Sequence, residues 1–121
     1  MRHKTPAPVV TLRRLSVRQL RARRQRLTRG LGDVATTLRG TVLSQRRRCG
    51  KEGCRCQQGE WHGPYVYLTV GRTSGARRLL YVPTELVAVV RRRVARTGRT
   101  DGALAEISAI NLELLARREL D

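Results

Sequence analysis

Three cysteines and a histidine stand in a single short segment at the spacing C-x4-C-x-C-x5-H: Cys49, Cys54, Cys56 and His62. Nothing else in the chain limits its fold so tightly. Three thiolates and an imidazole form the donor set of a tetrahedral structural zinc site. Gly50, Gly53 and Gly59 permit tight turns between the donors, and the C-x-C step holds two sulfurs near one centre. Arg47, Arg48, Lys51 and Arg55 flank the cluster, where they favour ionised thiols and offset their charge. Four good ligands close a site, so the expected Zn2+ is structural. Only Glu52 and Glu60 stand near enough to act as base for a catalytic metal.

Other readings of the cluster differ in strength. A disulfide scaffold fits poorly, because the count is odd and a Cys54–Cys56 bridge would close a cramped ring. A redox site stays open, since thiols beside so many cations are reactive. A Cys–His nucleophile lacks an evident third group to orient it. An iron–sulfur centre usually takes four cysteines.

The remaining composition explains why a metal staple would matter. The chain has 121 residues and 40% hydrophobic content, but only one Trp, three Tyr and no Phe, so one small aliphatic core is expected. Its 26 basic residues face 9 acids, a net charge of +17. A preference for Arg over Lys codons accounts for the kind of base, not for the shortage of acid. The charge is also uneven: residues 1–32 carry ten bases and no acid, 33–82 nine and three, 83–121 seven and six. A basic body with a balanced tail suggests a polyanion surface joined to a packing surface. No run of eighteen apolar residues occurs and the N-terminus has no apolar stretch of signal-peptide length, so a cytoplasmic protein without membrane contact is expected, nucleoid-associated if it binds DNA.

The pattern predicts an α+β chain: a small three-stranded antiparallel sheet with a zinc-stabilised loop, an N-terminal basic helix and two C-terminal helices. Residues 1–10 read as a disordered basic arm. In a basic helical segment, 11–39, a helix from about Thr11 to Arg29 carries Leu12, Leu15, Leu20 and Leu27 among arginines, with Ser16 and Gln19 able to form a capping box and Gly30 and Gly32 ending it; Asp33 can cap a short second piece through Leu38, ended by Gly40. The first helix repels itself and needs an apolar partner or a bound anion. A core of 40–97 follows. Its strands are expected at 41–48, 64–71 and 76–82, with Tyr65, Tyr67 and Thr69 on one side of the second and Val66, Leu68 and Val70 on the other. Gly75 suits the turn before the third strand. Pro83 and Glu85 suit the start of a helix running to about Arg96. Thr97-Gly98 should break it, with Thr100 or Asp101 capping a last helix over 98–121. On that helix Leu104, Ile107, Asn111 and Leu114 stand at coiled-coil spacing, widened by Ile110 and Leu115. Either a second chain or the same domain can cover that stripe.

The runs RRRCGKEGCRCQQGEWHGPYVYL, LLYVPTELVAVVRR and ISAINLELL resemble the bacterial family called domain of unknown function 6788, over roughly residues 38–118. The resemblance supports the metal motif and implies a link to mobile genetic elements, but it carries no activity. The order of strands and helix is also similar to the arm-type DNA-binding domain of phage integrases, which lays a three-stranded sheet into the major groove.

Two function classes follow. In the first, a DNA-binding accessory or regulatory protein, the sheet presents Arg46, Arg47, Arg48, Arg72, Arg77 and Arg78, and the loop presents Lys51 and Arg55, to phosphates and guanine edges. Duplex DNA is the favoured partner over RNA. Trp61, Tyr65 and Tyr67 are candidates for stacking on bases, or else pack the loop and the sheet. In the second, an assembly subunit, the zinc loop is purely structural and the terminal helices pair with a copy or another protein through Leu104, Ile107, Asn111 and Leu114. No phosphate loop, Ser/His/Asp set or useful carboxylate pair is present, so an enzyme is not expected.

Overall fold

A computed structural model describes residues 11–48, 51–54, 59, 61–71 and 78–121. The basic arm 1–10, the Gly75 turn and the predicted site residues Cys49, Cys56, Arg55, Arg72 and Arg77 lie outside the described residues. The chain is α+β: an open three-stranded antiparallel sheet with helices, divided into two compact units. One runs to Val34 and takes in Arg99–Asp121; the other is Ala35–Gly98. No described helix is long and apolar enough to cross a membrane.

In the first unit, a 3-10 turn at Leu12–Arg14 precedes α1, Val17–Arg29. The capping box forms as the sequence predicts: Gln19 N donates to Ser16 Oγ at 3.1 Å and Ser16 N to Gln19 Oε1 at 2.8 Å. Two of the helix's orphan N-terminal donors are met in this way. Gly30 closes the helix, its N–H donating to Leu27 O. The apolar partner that α1 needs comes from the end of α2, Val87–Ala116. Leu20, Ile110 and Leu114 are fully buried together, with Leu12, Leu15, Val17 and Leu27 packed around them. Burying each such side chain stabilises by about 1.5–3 kcal/mol.

Arginines line the rim of this small core. Arg24 donates to Asn111 Oδ1 at 2.8 Å and grips both carboxylate oxygens of Asp121 at 2.9 and 2.7 Å. Arg23 pairs with Glu106 at 3.2 Å. Arg117 donates to the carbonyls of Leu12, Arg13 and Leu15 and to Glu113, tying the N-terminal turn to the end of α2. Part of the positive charge of residues 1–32 thus serves folding rather than facing a polyanion.

One expectation is corrected. The break at Thr97-Gly98 does not occur: α2 is one helix of 30 residues, so there is a single long C-terminal helix, not two. A helical glycine costs only about 1 kcal/mol, less than the packing on either side contributes. The threonine hydroxyls at this point bond elsewhere, that of Thr100, one of the two expected caps, among them. Thr97 Oγ1 donates to Arg93 O at 2.7 Å and accepts from Leu38 N at 2.8 Å, while Thr100 Oγ1 donates to Leu31 O at 3.2 Å. Pro83 precedes a 3-10 turn, Thr84–Leu86, before α2 begins. The far end closes just beyond Ala116, with Arg118 at φ 59 and Glu119 N donating to Leu114 O.

In the second unit, the strands β1 (Thr41–Arg47), β2 (His62–Val70) and β3 (Arg78–Val82) run in sequence order, with β2 central. The register pairs Leu43 with Tyr67 and Tyr67 with Tyr81 on one face, and Val42 with Leu68, Leu68 with Leu80 and Val66 with Val82 on the other. Leu68 and Val82 are buried, so the second face is the covered one. The first face keeps Tyr81 56% exposed and Leu79 54% exposed, and it is the open one. Gly40 closes on this sheet at φ 155, where a Cβ would lie 2.7 Å from Thr69 O.

Candidate functional site

The site is built where β1 and β2 meet the cysteine loop. Gln45 pairs with Tyr65, but Arg47 pairs with His62, so β2 carries one extra residue at Gly63-Pro64. Strict alternation would send His62 to the Leu68 side. The bulge turns it to the side of Tyr65 and Tyr67 instead, as such insertions re-aim side chains. Only glycine fits there: Gly63 has φ 111, and a Cβ would lie 2.8 Å from Tyr65 N and 2.9 Å from Gln45 O.

Across from the strand end, the loop makes a turn at Lys51–Cys54, with Gly53 at φ 76 and Cys54 N donating to Lys51 O at 3.4 Å. The turn delivers Cys54 to His62, with Sγ and Nε2 3.0 Å apart. Two of the four predicted zinc donors are thus in direct contact, on segments eight residues apart. Thiolate sulfur and imidazole nitrogen are the donor types zinc takes, and two ligands of one tetrahedral ion lie about 3.5 Å apart. A small side-chain rotation accommodates that distance, so the described pair fits the ion. No group of three donors forms among the described residues, because Cys49 and Cys56 are outside them.

Beside this pair the open face collects cations and rings. The Arg47 guanidinium stands 5.3 Å from the Tyr67 ring centroid, and that of Arg48 stands 4.8 Å from Trp61. Tyr67 and its cross-strand partner Tyr81 meet edge to face, centroids 5.9 Å apart at 69°. Arg47, Arg48, His62, Tyr65, Tyr67 and Tyr81 line a cavity of about 470 Å³. Further along, a second hollow of about 680 Å³ is lined by Arg39, Gly40, Thr41, Leu43, Thr69, Val70 and Gly71.

The fold gathers some predicted residues and separates others. Arg47, Arg48, Trp61, Tyr65 and Tyr67 come together at the open face. Arg46 alternates away from Arg47, and Arg78, paired with Val70, belongs to the Leu68 side. Lys51 is exposed on the loop turn. Of the predicted helix seam, Leu114 is fully buried and Asn111 bonds Arg24 within the chain, Ile107 is half-buried, and Leu104 stays exposed. Tyr81 is the residue that sequence reading missed. It sits in the apolar run LLYV and reads as core, and only the β2–β3 register places it opposite Tyr67.

The sequence profile of a family described as a domain of unknown function, DUF6788, matches residues 17–92. That span begins at the first residue of α1, earlier than the motif-bearing runs, covers the whole sheet and cysteine loop, and stops in α2 before ISAINLELL. No curated protein and no solved structure matches the chain.

Proposed function

The chain belongs to the domain of unknown function 6788 family, and we propose that it is a zinc-holding protein that binds nucleic acid through the open face of its sheet, as an accessory or regulatory factor. One observation carries this reading: two arginines rest on aromatic rings at a cavity of the uncovered face, next to the Cys54–His62 pair. Guanidinium planes held over rings keep their edge N–H groups free for phosphate or base. In a chain of net charge +17, the complementary partner is a polyanion. Cys49, Cys54, Cys56 and His62 would hold the zinc. When bound, the ion cross-links the loop to the first residue of β2 and fixes Arg48 and Trp61 beside it, a structural role.

Binding of metal-loaded protein to duplex DNA, single-stranded DNA and RNA across a salt series tests the reading. Affinity should fall steeply with salt, and Arg47→Ala with Arg48→Ala should flatten the slope by about 0.7–0.9 for each phosphate that is no longer neutralised. Salt-independent binding, or none, would overturn it.

A second reading is favoured by a different observation. With Asn111 and Leu114 turned to α1, Leu104, Leu112 and Leu115 remain 46%, 63% and 55% exposed along α2. At spacings of eight and three they share one side of the helix, a surface for an assembly partner or a second copy. Sedimentation of the wild type against Leu112→Glu decides it: a dimer that dissociates in the variant supports the assembly role, and a monomer in both removes it.

A further inference from the structure

Resting on the nucleic-acid reading, we infer that the open face grips unpaired bases, so that its ligand is a single strand rather than a duplex. A duplex hides the faces of its bases and offers phosphates and groove edges. What this sheet exposes is the opposite kind of surface. Tyr81 stands 56% exposed on β3, its ring set edge-on to Tyr67, with Arg47 stacked over Tyr67. Rings and guanidinium planes of this kind are the platforms on which splayed bases stack. A reader of groove edges needs no such rings, and exposing them to water is unfavourable unless a flat partner covers them.

Geometry and charge point the same way. The cavity at Tyr65, Tyr67 and Tyr81 is about 470 Å³, within the range that receives a small planar group. The second hollow, at Arg39, Leu43 and Thr69, continues along the same strands on the same face. From Tyr65 to Thr69 the face runs four residues, about 13 Å at the rise of a strand, enough for two or three bases of the kind other sheet platforms stack. Arg39 at one end and Arg48 at the other supply cations for the intervening phosphates. Both DNA and RNA single strands carry this chemistry.

The test uses the full metal-loaded chain and fluorescence anisotropy at one ionic strength, with a 12-mer of thymidylate, a 12-mer of uridylate and a duplex of equal length. Single strands should bind at least about 10-fold more tightly than duplex. Tyr81→Val keeps a strand-forming residue but removes the ring. It should weaken single-strand binding roughly 10- to 100-fold with the salt slope unchanged, and Tyr81→Phe should restore it. Circular dichroism of both variants guards against loss of the sheet. Preference for the thymidylate or the uridylate strand identifies the polymer, and either supports the inference. Should duplex bind as well as single strands, or Tyr81→Val bind like wild type while Arg47→Ala weakens every ligand, base stacking is overturned and the nucleic-acid reading survives. Should no nucleic acid bind, both fall.

Discussion

Cys54 Sγ and His62 Nε2 meet at 3.0 Å, one from a loop turn and the other from the first residue of a strand. This contact closes the β1–β2 connection upon the sheet's open face, and it does so between two donors of the kind zinc prefers. Native mass spectrometry should find one zinc per chain, released by acid or by thiol modification. Cys54→Ser should lose the metal and loosen the loop, seen as faster amide exchange at Lys51, Gly53 and His62. A folded chain that carries no metal, or that holds a stable disulfide, would remove this reading.

His62 owes its direction to the glycine that follows it. Gly63 holds φ 111, a region that disfavours any side chain, and its missing Cβ leaves room for Gln45 O and Tyr65 N. Gly63→Ala forces strain and a clash with backbone on both strands. The expected cost is about 1–3 kcal/mol in chemical denaturation. Zinc affinity should fall with it, because realigning the bulge turns His62 away from Cys54. Substituting Gly53, where nothing lies within 4 Å of a built Cβ, bears only on its φ of 76 and should cost less. Equal stability of Gly63→Ala and wild type would show that the bulge is not held by that glycine.

These residues also mark how far the sequence could be read. The alternation of PYVYLTV and the capping pair Ser16 and Gln19 are local patterns, and both appear in the fold with the expected sides and partners. The requirement that α1 find an apolar partner is equally legible, because six arginines without an acid cannot stabilise an isolated helix. What pairs with what is not local. Asn111 has coiled-coil spacing, yet its partner is Arg24, eighty-seven residues earlier. Tyr81 joins the site through a strand register set by residues 78–82 against 66–70. The bulge at Gly63-Pro64 adds one residue to a strand, and period-two counting cannot anticipate that shift.

The continuity of α2 gives a third prediction. Gly98 and Gly102 sit inside the helix with no atom within 4 Å of a built Cβ. Alanine at either position restricts the unfolded chain and meets no obstacle in the folded one. Gly98→Ala and Gly102→Ala should each stabilise by roughly 0.5–1 kcal/mol and raise helicity in far-ultraviolet circular dichroism. If instead Gly98→Ala destabilises, the chain turns at Thr97-Gly98 in solution and the helix is two.

Arg24 and Asp121 supply a pH-dependent latch on the α1–α2 core. The Arg24 fork hydrogen-bonds the Asp121 carboxylate, and together with a backbone hydrogen bond and the charges of Arg24 and Arg21 it holds that carboxyl well below the usual carboxylate range. Arg24 is correspondingly raised. A group whose folded-state pKa is depressed contributes stability above its unfolded value, about pH 4, and loses it as pH falls toward the folded one. Asp121→Asn should therefore lower Tm at neutral pH, with the gap from wild type narrowing as pH falls below about 4, where the unfolded chain's carboxylate takes up a proton that the folded one does not yet bind. Because both partners are partly exposed, added salt should shrink the gap as well. A gap that stays constant from about pH 7 to pH 2 would mean that the charge of Asp121 contributes nothing and that only its hydrogen bonds, which asparagine can share in part, secure the end of the chain.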